Sequence, residues 1–281
     1  MRGGSSPVIL VTLLLALTTG IVLLTVIPSS KPYSIYNTGG NGYSKLASLE
    51  NTRWVSSLLQ LSGVDAEGSI LIVSRMRALT EGEVSELQAY AARGGIVLAY
   101  GSREMLASLI EHLGLNIVLG GSVYDPIFNA GDKSLVLANS TLCKATLVLP
   151  EPAVFEVARE SRVEVAAWSS PLSYVDSNGN SFYDLDEPIQ PSPLGVRIPV
   201  GEGSIIVFST PWLLANSVLE YNTGFLNCIS AGRYIVIDES EVFRDPVEYL
   251  RSMLRGSSFS PLYVVAMVVI LALILYYLYE R

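Results

Sequence analysis

The chain is short of nearly everything that catalysis usually draws on. One histidine and two cysteines occur in 281 residues. No G-x-S-x-G elbow, H-E-x-x-H pair or G-x-x-x-x-G-K-[ST] loop is present, and Gly39-Gly40-Asn41-Gly42 misses the spacing of a dinucleotide fingerprint. His112 lies in the amphipathic stretch ASLIEHLG, where an imidazole is ordinarily a helix residue rather than a catalyst. These absences argue against an enzyme. Cys143 and Cys228 have no metal-ligand spacing, so they are either a pair in an oxidising compartment or two small core residues.

Charge is scarce too. Charged residues make up 16%, against about 25% in an average soluble domain. Acidic residues prevail, 26 to 18, for a formal charge of −8. Between positions 28 and 260 the count is 25 acidic against 16 basic residues, or −9. Such a balance excludes nucleic acid as a natural partner.

What the chain does have is hydrophobic sequence, half of all residues. Val8–Ile27 and Leu262–Tyr279 are uncharged apolar runs, and about 20 such residues suffice to cross a bilayer core. This predicts a membrane protein with two spans: an anchor at 1–32, an α/β domain at 33–256 and a second transmembrane helix at 257–281. Arg2 and the α-amino group outweigh Lys31 around the first run and place the domain outside the cytoplasm, although Arg251 and Arg255 vote the other way at the second.

Within the middle region, strand and helix patterns alternate. Tyr33–Asn37 is a short strand candidate and Tyr43–Leu61 a helix. GSILIVS (Gly68–Ser74) is a buried strand, Thr80-x-x-Glu83 opens a helix with a capping box, and GIVLAY (Gly95–Tyr100) is a second buried strand. A helix follows over Ser102–Leu113. The rhythm resumes at Ser204–Ser209, Trp212–Ile229, Tyr234–Ile237 and Val242–Leu254. Continuous apolar strands between amphipathic helices predict a mostly parallel sheet flanked by helices. Ser134–Ala138, Ala145–Leu149, Val163–Trp168 and Val196–Pro199 form a β-rich insertion at about 130–200, and Gly201-Glu202-Gly203 reads as a hairpin turn.

Two candidate sites emerge. Ligands of open α/β sheets sit beyond the carboxyl ends of the strands. There the chain presents Asn37, Asn41, Arg75, Arg103 and Asp238, accompanied by Ser74, Arg77, Ser102, Thr210 and Glu239. Arginines facing carboxylates either hold a charged ligand or neutralise one another. The second site is DSNGNSFYDLDE. Counting from Asp176, it offers oxygens from Asp176, Asn178, Asn180, the Phe182 carbonyl, Asp184 and Glu187 at the spacing of an EF-hand calcium loop. Ser181 stands where that loop wants glycine, and Pro188 denies it an exiting helix. The stretch therefore reads either as a structural calcium site or as a turn whose Asx side chains bond their own backbone.

Four segments carry a resemblance: YNTGGNGYSKL, LTEGEVSELQAYAARGGIVLAYGS, GEGSIIVFSTPWLLANSVLEYNTGFLNCIS and IVIDES. Together they resemble an uncharacterised family of membrane-anchored proteins. Its domain of unknown function is similar to the class I glutamine amidotransferase-like, flavodoxin-like domain of gliding-motility-type transporter accessory proteins. The resemblance implies that fold over most of residues 33–240, and a role as a binding subunit of an envelope complex. It implies no activity: where the amidotransferase has its cysteine nucleophile, this chain has Gly101-Ser102. Two rival roles are a transporter subunit, for which Thr18, Thr19 and Gly20 offer small polar packing residues, and a hydrolase using Ser102 or Asp238.

Overall fold

The computed structural model describes residues 7–158 and 163–256, with positions 266, 269, 270 and 277. In chain order the elements are α1 (Pro7–Val26), α2 (Ser44–Ala47), β1 (Thr52–Val55), β2 (Ser69–Arg75), α3 (Glu81–Ala92), β3 (Ile96–Gly101) and α4 (Arg103–His112). Then come β4 (Ile117–Tyr124), β5 (Leu135–Ser140), β6 (Thr146–Pro150), β7 (Ala153–Val157), β8 (Glu164–Trp168) and β9 (Tyr174–Asp176). The chain ends its described course with β10 (Pro193–Val200), β11 (Gly203–Phe208), α5 (Leu219–Ser230), β12 (Tyr234–Asp238) and α6 (Pro246–Gly256). They divide into two units, residues 30–241 and residues 1–29 with 242–281.

The larger unit is built on a nine-stranded sheet in the order β1-β12-β2-β3-β11-β10-β8-β5-β6. From β1 to β11 the neighbours run parallel; from β11 to β6 they run antiparallel, four pairings of each kind. A second sheet, β7-β4-β9, adds two antiparallel pairings. The expectation of a mostly parallel, flavodoxin-like or amidotransferase-like sheet is therefore corrected to a mixed one in which antiparallel pairing prevails. The physical reason is the Gly201-Glu202-Gly203 hairpin. It folds β10 back along β11, so that the β-rich stretch extends the sheet instead of standing apart as an insertion.

Buried strands explain the two-faced core. Every residue of β2 is buried, and alternate side chains point to opposite faces. Leu71 and Val73 join Val97 and Ala99 against Leu87 and Tyr90 of α3 and Met105 and Leu109 of α4. On the opposite face, Phe208 meets Phe225 of α5 edge-on at 5.5 Å, and the Tyr43 hydroxyl reaches Tyr100 at 2.5 Å. The last strand, β6, is closed off by side chains. Asn222 accepts from the Val148 amide and donates to its carbonyl, both at 2.8 Å, and Thr210 donates to Pro150.

Several local expectations are revised. Tyr33–Asn37 is turn, with Tyr33 at φ 61, rather than strand. The helix over Tyr43–Leu61 shrinks to α2, followed by β1 and a 3-10 turn at Leu58–Gly63, because residues 52–55 pair with β12. Cys143 and Cys228 form a disulfide with Cα atoms 6.4 Å apart, tying the β5–β6 turn to α5.

In the smaller unit, the first apolar run is helical as α1. The second run lies outside the described residues apart from four positions. Among the described residues no helix is long and apolar enough to cross a membrane. That overturns the two-span reading, and with it the transmembrane anchors and the cell-membrane localisation. The spanning argument counted apolar letters, and the described helical residues do not reach the length and apolarity required. Arg251 and Arg255, which entered the charge comparison at the second run, instead cap the end of α1. Arg251 Nε donates to Leu24 O at 3.1 Å and Arg255 Nη2 to Thr25 O at 2.5 Å, where a helix leaves its last carbonyls unpaired.

Candidate functional site

The carboxyl ends of the parallel strands gather most of the residues singled out from sequence, with unequal consequences. Arg75 closes β2 and Asp238 closes β12. Both side chains are fully buried, and Asp238 Oδ2 accepts from Arg75 Nε at 2.8 Å and Nη2 at 2.5 Å. Arg75 Nη1 donates to Glu83 Oε1 at 2.7 Å, and Nη2 also reaches Ser240 Oγ. Glu83 takes Arg77 Nη2 at 2.6 Å as well, and accepts the Thr80 amide of its own capping box. Burial pushes the Glu83 carboxyl up, but the hydrogen bonds from Arg77, the Thr80 backbone and Arg75 outweigh it and hold it far below the usual carboxylate range. The arginines and carboxylates thus neutralise one another, and Arg75 and Asp238 offer no open face to a ligand.

Asn37 and Asn41 are likewise structural. Asn37 Nδ2 donates to Lys31 O and to Asn41 Oδ1, while its Oδ1 accepts the Gly39 amide. Gly42 presses so close that a Cβ there would lie 2.0 Å from the Asn37 carbonyl oxygen. Against this loop sits PWLLAN. Asn216 Nδ2 lies within hydrogen-bonding reach of Asn37 O, Gly39 O and Ser44 Oγ, and its Oδ1 accepts the Lys45 amide. Tyr33 donates to Pro211 O and tilts against Trp212, ring centres 5.2 Å apart. The two sequence segments that carry the resemblance most strongly therefore meet in space. Beneath them Tyr43 bonds Ser74 and Tyr100, and burial raises both phenols far above their ordinary range. They are neutral hydrogen-bonding groups at any physiological pH.

Arg103 is different. Ser102 caps α4, its Oγ accepting the Met105 amide and donating to Met76 O, so Arg103 begins the helix at the mouth of a cleft of about 220 Å³. The cleft lies where β3 and β11 end side by side. Ser102 and Arg103 line one wall, Ser209 and Pro211 another, and Ser122 and Glu151 face them from the direction of the second sheet. Arg103 reaches across to the Leu119 and Gly120 carbonyls, at 3.1 and 2.7 Å, and forms part of the cleft lining. Glu151 holds a left-handed backbone, φ 48, in the short turn between β6 and β7. A strained non-glycine residue in a cleft wall is a feature that binding sites accumulate. His112 is at the far end of α4, its Nδ1 2.6 Å from the Ser108 carbonyl.

In the oxygen-rich loop, Asp176 and Glu187 are buried and bond backbone. Asp176 accepts the Gly179 and Ser181 amides at 2.6 and 2.7 Å; Glu187 accepts those of Ser177 and Asp184 at 3.0 and 3.1 Å. Asn178 and Asn180 both donate to Asp184 Oδ2, and Asn180 accepts the Phe182 amide. Ser181 adopts φ 63, the left-handed turn that glycine normally supplies at this place in an ion-binding loop. Among the described residues no group of three or more His, Cys, Asp or Glu is arranged to hold a metal ion.

Sequence reading missed Asn216, Ser122 and Glu151. The Asn of PWLLAN was within a quoted segment, but its partners lie more than 170 residues upstream. Nothing in the letters of Glu151 announces a positive φ.

Likeness to solved structures is slight. The mmIFT52 N-terminal domain aligns with TM-score 0.43 at 16% identity, over 62% of this chain and 78% of that one. A β-galactosidase from Bacillus circulans sp. alkalophilus gives 0.38 at 11%, over 59% of this chain and 23% of the enzyme. The cytoplasmic protein STM3548 from Salmonella typhimurium gives 0.33 at 13%, over 64% and 76%. Scores this low carry no functional argument. No curated protein matches the chain. A family model does, over residues 35–226, and it spans both the NTGGNGYS loop and the PWLLAN segment that closes on it: the chain belongs to the DUF4350 family, a domain of unknown function.

Proposed function

We propose that the chain is a non-enzymatic binding protein whose cleft, between the start of α4 and the ends of β3 and β11, takes a small polar ligand with an anionic group. The observation that carries this reading is Arg103 together with the first turn of α4 on one wall of a cleft of about 220 Å³. Helix starts favour negative charge, and a guanidinium beside one adds a directional donor. Of the three serines in the lining, Ser122 supplies a further polar group, while the hydroxyls of Ser102 and Ser209 donate to backbone carbonyls. The volume is below the roughly 300–1,000 Å³ of pockets for drug-sized ligands, which favours a molecule smaller than a nucleotide. Ser102 is engaged as a helix cap, and the histidine is remote from it, which speaks against a nucleophile–base pair here.

Calorimetric titration of the full chain with glutamate, inorganic phosphate and glucose tests the reading. Glutamate or phosphate is expected to bind, with Arg103→Ala weakening it by about ten-fold or more, on the scale of a lost charge-assisted bond. No heat from either anion, or binding indifferent to Arg103→Ala, overturns it.

A structural calcium ion in the Asp176–Glu187 loop is a second reading. What favours it is Ser181: the chain accepts a left-handed φ there without glycine, preserving the turn that wraps such an ion. Asp176, Asn178, Asn180, the Phe182 carbonyl, Asp184 and Glu187 would be its ligands, and the ion would replace the bonds that Asp184 now accepts from the two asparagines.

A further inference from the structure

The end of the molecule that carries the oxygen-rich loop exposes large apolar side chains. Leu185 is 96% exposed, Phe182 70% and Ile127 65%; Phe128 and Ile189 are exposed as well. They come from two separate loops, yet these are laced into one surface. The Asp125 carboxylate accepts the Ile127 and Phe128 amides at 2.9 and 2.7 Å and the Ser170 hydroxyl. Tyr174 lies between Tyr124, tilted against it, and Tyr183, edge-on to it, each 5.6 Å away, and donates to Ser181 O. Lys133 lies over the Phe182 and Tyr124 rings and donates to Ser181 O. Ile189 bridges to Tyr174. The backbone beneath is thus held by its own hydrogen bonds while the side chains above it stand in water.

We infer that this surface docks a basic, apolar segment of a partner protein. Contiguous apolar patches are rare on free-standing surfaces because exposing them costs free energy. Here the patch is fixed in advance, so little ordering opposes binding. Charge decides the occupant. Asp186, which follows Leu185 in the chain, and Asp132, which precedes Lys133, are both exposed, and Lys133 is already engaged with two rings and a carbonyl. With the chain at −8 overall, anionic headgroups are repelled, whereas a segment with Leu-like side chains and Lys or Arg between them meets both the apolar tips and the carboxylates.

The test uses the full chain and a fluorescein-labelled synthetic helical peptide of Leu and Lys, followed by anisotropy. Its counterpart of Leu and Glu is run alongside, as are phosphatidylcholine vesicles containing phosphatidylserine. The Leu/Lys peptide is expected to bind, more weakly as salt rises. Combining Phe182→Ser with Leu185→Ser should weaken it about ten-fold, as loss of central apolar anchors does. Asp132→Asn with Asp186→Asn should weaken it too. Leu185 is so exposed that Leu185→Ser alone leaves the fold intact, and an unchanged melting curve verifies this. Equal binding of the Leu/Glu peptide, or indifference to the serine variants, overturns the inference. So does vesicle binding that the serine variants abolish, which would identify a lipid surface instead.

Discussion

Arg75 and Asp238 are 163 residues apart in sequence and 2.5 Å apart in space, joined between the ends of two non-consecutive strands with no solvent on either side. The pair is a lock on the parallel half of the sheet. A buried charge left without its partner is costly, commonly about 3–5 kcal/mol. Because Glu83 still partners Arg75, Asp238→Asn is expected to lower stability by up to about that much in urea unfolding, while Arg75→Met combined with Asp238→Leu costs less than Asp238→Asn alone. A double variant worse than the single would show that the charges themselves stabilise the fold.

Acid should weaken the same network. The Glu83 carboxyl is held far below its ordinary value of 4.5, so it stabilises the fold at neutral pH and that contribution drains away as pH falls through the acid range. Urea midpoints measured between about pH 6 and pH 3 are expected to fall, and less steeply in Glu83→Gln. Glu241, whose carboxyl burial pushes up, contributes the opposite slope, so parent and variant must be compared at each pH.

Asn216 clamps the NTGGNGYS loop through carbonyl and amide partners on both sides. Asn216→Ala leaves these groups short of partners and is expected to cost about 1–3 kcal/mol in chemical denaturation. Asn216→Asp should be the more damaging, since it turns a carboxylate oxygen toward two carbonyls. An aspartate variant as stable as the parent would contradict the clamp.

The Cys143–Cys228 bridge closes a loop of 85 residues. Loops of that size restrict the unfolded chain strongly, and losing the link is expected to cost about 2–5 kcal/mol. Melting with and without reductant reads the difference. Paired Cys143→Ser and Cys228→Ser should match the reduced parent and show no further response to reductant.

Calcium added to the full chain is expected to raise its melting midpoint through preferential binding to the folded state. Asp184→Asn, which keeps the asparagine contacts but removes a charge, should shrink the rise. A parent chain indifferent to calcium leaves the Asp176–Glu187 loop as a turn closed by its own side chains.

How legible these features were depended on how local their causes are. The Thr80–Glu83 capping box and the Gly201-Glu202-Gly203 hairpin need only neighbours in sequence, and both occur where the letters put them. β1 was read as helix because its state is set by β12, some 180 residues on, and distant pairing outweighs propensity. β4 escaped because Gly120-Gly121 interrupts its apolar run; a Cβ on Gly121 would stand 2.2 Å from Asp176 O, so the glycine serves strand packing that no local pattern reveals. Of the candidate site, Ser102 and Arg103 were visible at a strand end. Arg75 and Asp238 were visible too, but not that each would satisfy the other.

The side-chain closure of β6 has a consequence for how molecules of this protein meet. Asn222 and Thr210 hold the outward-facing backbone atoms of Val148 and Pro150, leaving them nothing to offer a visiting strand. Crowding such molecules together therefore gives no zipper along that flank. A rogue polymer built by adding strands to this sheet would have to begin from β1 at its other margin.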